Sequence, residues 1–114
     1  MTADGDSMNR EISIADMPEE RAFVVTVDGV RAGKAEYRVR DGRQVFFHTE
    51  VDDEFSGIGL GTRLVRHALD DVRSRGGMVV PLCPFFAAYI KRHPEYDVLV
   101  DHEMTKRMKS AQRD

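Results

Sequence analysis

The sequence predicts a mixed α/β domain in which an antiparallel β-meander is followed by a helix, a splayed parallel strand and a second helix. Asp-Gly pairs at residues 28–29 and 41–42 separate runs of strand-forming residues, and such pairs are typical of tight hairpin turns. Helical periodicity begins at Leu60, and a short apolar run at 78–82 follows that helix. Because a helix separates this run from the meander, its strand should lie parallel to the last meander strand.

Length and composition fit one globular domain with a modest core. The chain has 114 residues, of which 41% are hydrophobic and 32% are charged. A net charge of −3 with both signs interspersed provides no basic field for nucleic acid. One cysteine excludes an internal disulfide framework, and no apolar run reaches membrane length or forms a signal peptide. We therefore expect a cytoplasmic protein with no nucleic-acid or membrane partner.

The domain itself is expected to span residues 10–100. Residues 1–9 are small and polar and should form a disordered leader, while residues 101–114 are mostly charged and form either a loose helix or a frayed tail. Within the domain, the first strand is at most a short one at 11–15. The stretch 21–27 is rich in β-branched and aromatic residues and should be a strand of the meander.

The strand at 45–51 differs from its neighbour at 30–40, whose alternating pattern leaves one face wet. Strict alternation divides its side chains between two faces, with Val45, Phe47, Thr49 and Val51 on one and Phe46, His48 and Glu50 on the other. Near-continuous apolar character suggests a central strand that is covered on both sides. His48 and Glu50 should therefore face a region with little solvent. They are either a hydrogen-bonded structural pair or a general base and a contact for a substrate amine.

Spaced glycines precede the first helix and make its start a candidate anion site. Gly57, Gly59 and Gly61 leave backbone N–H groups uncovered, and the positive end of the helix dipole lies beside them. Arg63 and Arg66 either reach the anion or form a solvated basic face. The run is not a Walker A loop, because no Gly-Lys-Ser/Thr ends it, and hairpin-connected strands do not fit a dinucleotide fingerprint.

The last predicted strand ends beside the single cysteine. Pro81 cannot donate to a sheet ladder, so this strand should be unpaired near its end and open a slot in the sheet. Cys83 is the expected N-cap of a helix that starts with Pro84 and runs to about His93. Its thiol is either a functional group whose thiolate the helix dipole favours, or a small buried apolar group.

Spaced glycines between an antiparallel meander and a helix, followed by a splayed strand, resemble the acyl-CoA site of the GCN5-related N-acetyltransferases. The similarity is closest to a small, single-domain subgroup of that superfamily and covers residues 11–100. The matching stretches are DGVRAGKAEY, FFHTEVDDEFSGIGLGTRLVRHALDDVRSRG and VVPLCPFFAAYIKRHPEYDVLV. Within them HTEV, the spaced glycines and CPF are jointly specific.

The resemblance implies a set of residues that bind acetyl-CoA. Backbone amides at 57–62 would hold the pyrophosphate, and the slot between the ends of 45–51 and 78–83 would admit the pantetheine arm. The implied cofactor contacts are Thr49, Val51, Ser56, Gly57, Ile58, Gly59, Leu60, Gly61, Thr62, Arg63 and Pro84. In the subgroup a cysteine in the CPF context is thought to serve chemistry, which here is Cys83, and a tyrosine acid of the superfamily corresponds to Tyr89.

The chain departs from the superfamily pattern in three ways. Ser56 stands where an Arg or Gln usually opens the glycine turn, and many members have an Asn in place of Cys83. The N-terminal helices that build an acceptor pocket are not evident, so the resemblance implies an open acceptor side. Such a side suits an exposed amine on a macromolecule or a loosely held small amine.

We therefore expect an acetyl-CoA-dependent N-acetyltransferase that uses no metal and acts on an unidentified amine. In the main mechanism the amine attacks the thioester directly, Glu50 or His48 removes a proton, and Cys83 protonates the leaving thiolate. A covalent acyl-cysteine route is the variant. A non-catalytic acyl-CoA-binding module and a protein-interaction module stay open as alternatives, and a nucleotide-binding protein is disfavoured. The sequence identifies neither the acceptor nor the oligomeric state.

Overall fold

A computed structural model describes residues 10–112, which form a five-stranded sheet with helices on both faces; the predicted leader lies outside these residues. The strands are β1 (Ile12–Met17), β2 (Ala22–Val27), β3 (Val30–Arg40), β4 (Arg43–Val51) and β5 (Met78–Pro81), in sequence order across the sheet. The helices are α1 (Leu60–Ser74), α2 (Pro84–Arg92) and α3 (His102–Gln112), and short 3-10 turns occupy Pro18–Glu20, Asp53–Phe55 and Pro94–Leu99. β1 to β4 pair antiparallel and β4 pairs with β5 in parallel, which confirms the predicted fold class.

Both Asp-Gly pairs form tight hairpin turns. Asp28 and Gly29 have φ of 49° and 83°, and Asp41 and Gly42 have φ of 52° and 77°. Two consecutive residues with positive φ are typical of a type I′ turn, whose twist matches that of the strands it joins. The predicted meander is therefore confirmed, and β1 lies along its outer edge.

β4 contains one residue more than its pairing with β3 requires. Glu36 pairs with His48 and Tyr37 pairs with Phe46, so Phe47 has no partner residue of its own in β3. Such an insertion is a β-bulge, and it shifts the alternation of side chains along the rest of the strand. The strict alternation predicted for this strand is therefore wrong beyond Phe46.

The bulge exchanges the faces on which the following side chains lie. We call the side of the sheet that packs against α1 and α2 the helix face, and the opposite side the far face. Phe46, Thr49 and Val51 lie on the helix face, where Thr49 pairs with a buried alanine of β3. His48 and Glu50 lie on the far face, across from charged residues of β3.

The main core lies between the helix face and the two helices α1 and α2. Its largest fully buried side chains include Phe23, Phe46 and Phe86, and the rings of the last two stack with centroids 4.2 Å apart. The apolar stripe predicted for α1 is confirmed by the buried residues of that helix, which are Leu60, Gly61, Leu64, Val65, Ala68, Leu69 and Val72. Burial of this stripe fixes the start of α1 against the sheet.

The charged segment after residue 100 forms α3 and covers part of the far face. Met104 is buried against Val45 and Val80. The Asp101 carboxylate accepts one hydrogen bond from the Met104 amide and another from Arg43 Nε, both at 2.9 Å, which ties the start of α3 to β4. Of the two forms that the sequence left open for this segment, the structure has the helix, and that helix is packed on the sheet.

Candidate active site

β4 and β5 pair over only four residues of each strand. The pairing ends at Phe46 and Pro81, and beyond it the Cys83 amide donates a last hydrogen bond to the Phe46 carbonyl at 2.8 Å. Within the described chain, no strand pairs with residues 47–51 of β4 on this side. The predicted slot in the sheet is therefore present. We use the name fork for the point at Phe46 and Cys83 where β4 and the segment that follows β5 separate.

Cys83 lies at the fork with its thiol inside the protein. Its Sγ is 3.4 Å from Oγ1 of Thr49, so the two groups share a hydrogen bond across the slot. Cys83 is the N-cap of α2 and Pro84 is the first residue of that helix, as the sequence predicts. The residue is only 4% exposed. The thiol therefore has one polar neighbour on β4 and lies beside the positive end of a helix.

A cleft of about 290 Å³ leads from the glycine turn to the end of β4. Its walls come from the end of β4, the loop that follows, the start of α1 and one residue of α2. The lining residues are Thr49, Glu50, Val51, Phe55, Ser56, Gly57, Gly59, Leu60, Gly61, Thr62 and Phe85. Most of the predicted cofactor contacts are thus brought together, whereas Ile58, Arg63 and Pro84 do not line the cleft.

The turn before α1 presents a row of unused backbone donors. Within residues 10–112, the amides of 57–62 donate to no carbonyl, and no side chain caps the helix. The first bond of the helix runs from the Arg63 amide to the Gly59 carbonyl at 3.1 Å. Gly57 and Gly59 have φ of 86° and 80°, which glycine adopts without strain. Free amides and the positive end of α1 therefore lie beside the cleft, as an anion site requires.

Two aromatic residues that sequence reasoning missed form walls of this cleft. Phe85 lies against Gly61 so closely that a Cβ on the glycine would be 2.7 Å from Cζ of the ring. Phe55 packs on the edge of the main core. A glycine inside a helix, where no positive φ requires it, is the signal that could have indicated such a close approach.

His48 and Glu50 form a hydrogen-bonded pair on the far face. Nε2 of His48 is 2.8 Å from Oε1 of Glu50, and both side chains are about half exposed. The expectation that they face a region with little solvent is therefore wrong, because the bulge turns them away from the main core. The hydrogen bond from His48, assisted by the charge of Lys34, holds the pKa of Glu50 below its ordinary value.

Three other candidates lie apart from the cleft. The buried ring of Tyr89 packs on His93 and Tyr96, with centroid distances of 4.3 and 5.9 Å, and does not line the cleft. Arg63 and Arg66 are exposed on α1 and do not line it either. An acid role for Tyr89 and an anion contact from the two arginines stay predictions.

Fold and site together define an α/β domain whose sheet splays beside an open helix start, the class that the resemblance implied. A sequence model of the family described as GCN5-related N-acetyl-transferase matches residues 22–99. The chain therefore belongs to the GCN5-related N-acetyltransferase family, which supports acyl transfer as its general activity. No curated protein is matched at significant similarity, and the narrower assignment to the small single-domain subgroup stays a prediction. No helix within residues 10–112 is long and apolar enough to span a membrane.

Proposed function

We propose that the protein transfers the acetyl group of acetyl-CoA to the nitrogen of an amine. The observation that carries this proposal is a juxtaposition along one cleft. The free amides at 57–62 lie at one end, the unpaired edge of β4 follows, and Thr49 at the other end is hydrogen-bonded to Cys83. Membership of the family supports the same reaction class.

The cleft suits the chemical parts of acetyl-CoA. Its pyrophosphate is anionic, and amides at a helix start stabilise negative charge. Its pantetheine arm contains amide groups, which can pair with the unused N–H and C=O groups of residues 47–51 as an added strand would. Phe55 and Phe85 offer apolar contact to the methylene carbons of the arm. In this arrangement the thioester lies at the fork beside Thr49 and Cys83.

The two candidate proton-transfer groups lie on opposite sides of β4. Cys83 contacts the helix face at the fork, whereas His48 and Glu50 lie on the far face. A neutral amine therefore approaches from the far face while acetyl-CoA occupies the cleft on the helix face. The His48–Glu50 pair receives the proton that the amine loses, and Cys83 gives a proton to the departing sulfur.

The transfer itself balances without any further reactant. The amine nitrogen forms a bond to the thioester carbonyl carbon, and the C–S bond breaks with both of its electrons going to sulfur. One proton leaves nitrogen and one proton is taken up by sulfur, so the products are the N-acetylated amine and the CoA thiol. His48, Glu50 and Cys83 recover their starting protonation through solvent.

Calorimetry of two glycine variants tests the cofactor site. Gly59→Val adds a side chain beside the free amides, so we expect acetyl-CoA binding to be lost. Gly29→Val is the matched control, because the two glycines have φ of 80° and 83° and open space within 4 Å of a Cβ. Each substitution costs about 1–2 kcal/mol of backbone strain. Unchanged affinity in a folded Gly59→Val protein would remove the anion site from this turn.

Turnover separates an enzyme from a non-catalytic acyl-CoA-binding module. Release of CoA from acetyl-CoA is measured with a thiol reagent in the presence of small amines and lysine peptides. We expect release that depends on the amine. Binding of acetyl-CoA without release for any amine would identify a binding module, and the absence of binding would leave a protein-interaction module.

A further inference from the structure

A groove of about 400 Å³ lies on the far face between the sheet and α3, outside the cleft described above. Its floor is apolar and is formed by Val45, Phe47, Leu82 and Met108. The two arginines at the end of β3, Arg38 and Arg40, line its wall. The groove therefore combines an apolar surface with concentrated positive charge.

The groove reaches the fork from the side opposite to the cleft. Phe47 is the extra residue of the bulge and the first residue of β4 beyond the pairing with β5. Leu82 immediately precedes Cys83, whose amide makes the last hydrogen bond between the two segments that separate at the fork. A ligand in the groove would therefore contact both segments of the fork, β4 at Phe47 and the segment after β5 at Leu82, from the far face.

The arginines of the groove have no acidic partner within residues 10–112. The Arg38 guanidinium lies 5.0 Å from the centroid of the Phe47 ring, which holds its charge over the apolar floor. By contrast, Arg43 on the neighbouring strand is paired with Asp101 at 2.9 Å. A guanidinium stacked on a ring still has N–H groups along its edge, and these fit a carboxylate or phosphate.

Negative charge lies further along the same face. Glu36, two residues before Arg38 on β3, pairs across the sheet with His48 and forms an ion pair with Lys34 at 3.0 Å. Glu50 is hydrogen-bonded to His48, so this patch has two carboxylates against one lysine. Because alternate residues of a strand are about 7 Å apart, Arg38 lies about 7 Å and Arg40 about 13 Å along β3 from Glu36. A ligand with an amine at one end and an anionic group at the other would therefore be complementary to this face.

On the basis of the proposed transfer reaction, we propose that the acceptor is a small amine whose apolar chain carries a carboxylate or phosphate several bonds from the nitrogen. Arg38 and Arg40 bind the anionic group, the floor of the groove packs against the chain, and the amine lies at the fork beside His48. The bonds made and broken are those of the transfer already described. A diamine would bring like charge to the arginines and should be a poor acceptor.

Steady-state kinetics at saturating acetyl-CoA test this acceptor class. The probes are 6-aminohexanoate and 5-aminopentyl phosphate, with hexylamine as the uncharged match and 1,5-diaminopentane as the dication. We expect a kcat/KM at least tenfold higher for an anionic probe than for hexylamine, and the better of the two anions identifies the anionic group. Arg38→Gln and Arg40→Gln should each reduce the ratio of kcat/KM for the anionic probe to kcat/KM for hexylamine about tenfold. The reduction should come mainly from a higher KM for the anionic probe, as loss of a charge-assisted hydrogen bond would cause. Arg92→Gln, an exposed arginine of α2, is the matched control and should leave the ratio unchanged.

A binding measurement separates failure of this inference from failure of the proposed function. The Met108 methyl resonance is followed by NMR while 6-aminohexanoate is added without acetyl-CoA. We expect a saturable shift in the natural protein and in Arg92→Gln, and none in Arg38→Gln/Arg40→Gln. Transfer to amines without an anionic preference, or a preference that survives in the double variant, would overturn the inference alone. An arginine-dependent shift without transfer to any amine would overturn the proposed function and leave an anion-binding groove.

Discussion

Gly61→Ala should force the Phe85 ring away from the start of α1, and a double-mutant cycle measures the effect. A Cβ on Gly61 would lie 2.7 Å from Cζ of that ring and closer still to Cε2. The helix backbone is held by its buried stripe, whereas Phe85 is 37% exposed and can turn into solvent. The ring is therefore the part that yields.

The structure sets the size of each term in the cycle. Full burial of a Phe side chain stabilises by about 1.5–3 kcal/mol, so loss of the buried part of Phe85 costs roughly 1–2 kcal/mol. Replacing glycine by alanine in a helix gains at most about 1 kcal/mol. Gly61→Ala alone should therefore lower the free energy of unfolding by about 0–1 kcal/mol, and Phe85→Ala alone should lower it by roughly 1–2 kcal/mol. Once the ring is gone, the alanine at 61 has room, and the double variant keeps the helix gain.

Urea denaturation followed by circular dichroism gives the four free energies of unfolding. We expect the double variant to be more stable than the sum of the single effects by roughly 1–2 kcal/mol, since both single substitutions lose the same ring contact. Equal m-values would show that the denatured state is unaffected. Additivity to within about 0.5 kcal/mol would show that Phe85 does not pack on Gly61, and it would refute the assignment of Phe85 as a wall of the cleft.

Glu50→Gln should lower kcat more than it weakens acetyl-CoA binding, because it removes the carboxylate that is hydrogen-bonded to His48 in the pair proposed to take up the proton of the amine; equal losses, or a lower Tm alone, would indicate a structural role. Intact-protein mass spectrometry after incubation with acetyl-CoA alone should show no acetyl group on Cys83, and Cys83→Ser should keep partial activity. One acetyl group on Cys83 would establish the covalent route instead, while a fully active Cys83→Ala, less stable by about 1–2 kcal/mol, would remove the residue from the site. Burial and a hydrogen bond to Asp16 raise the pKa of Tyr37 from 10.0 to about 12, so its contribution to stability is complete below pH 10 and is lost as the pH rises towards 12. In Tyr37→Phe the free energy of unfolding, measured by urea denaturation, should fall less steeply with pH between about pH 9 and 11.5. An unchanged dependence of that free energy on pH would contradict the stated cause.

The elements that the sequence predicted well are those that local pattern determines. The Asp-Gly turns need only two residues with positive φ, and each occurs where the pair stands. The stripe of α1 follows from helical periodicity, and the free amides at 57–62 follow from a glycine-rich start without a capping side chain. The position of the free amides on which the proposed cofactor site depends was therefore predictable.

The bulge at Phe47 was not predictable from its own strand. No glycine or proline marks it, and which residue is extra depends on the register with β3. That register buries Ala35 and Tyr37 on the helix face, which is a property of the whole core. The surroundings predicted for His48 and Glu50 were wrong for this reason.

Contacts between distant parts of the chain account for the remaining differences. Phe85 meets Gly61 only because α1 and α2 pack on the same face of the sheet. The stretch that forms α3 has few apolar residues, and its packing on the sheet depends on the contact of Met104 with Val45 and Val80. Neither arrangement leaves a periodic pattern within one segment, so propensity and spacing could not establish it.

The bulge also bears on the choice between direct and covalent transfer. With strict alternation, His48 and Glu50 would share the helix face with Cys83, and both substrates would have to enter one cleft of about 290 Å³. The inserted residue turns the pair to the far face, so in the proposed reaction the amine and acetyl-CoA have separate entrances that meet at the fork. Separate entrances allow both substrates to be bound at once, which direct attack requires and an acyl-cysteine route does not. Initial rates measured against both substrates should therefore give intersecting double-reciprocal lines, and parallel lines would favour the acyl-cysteine route.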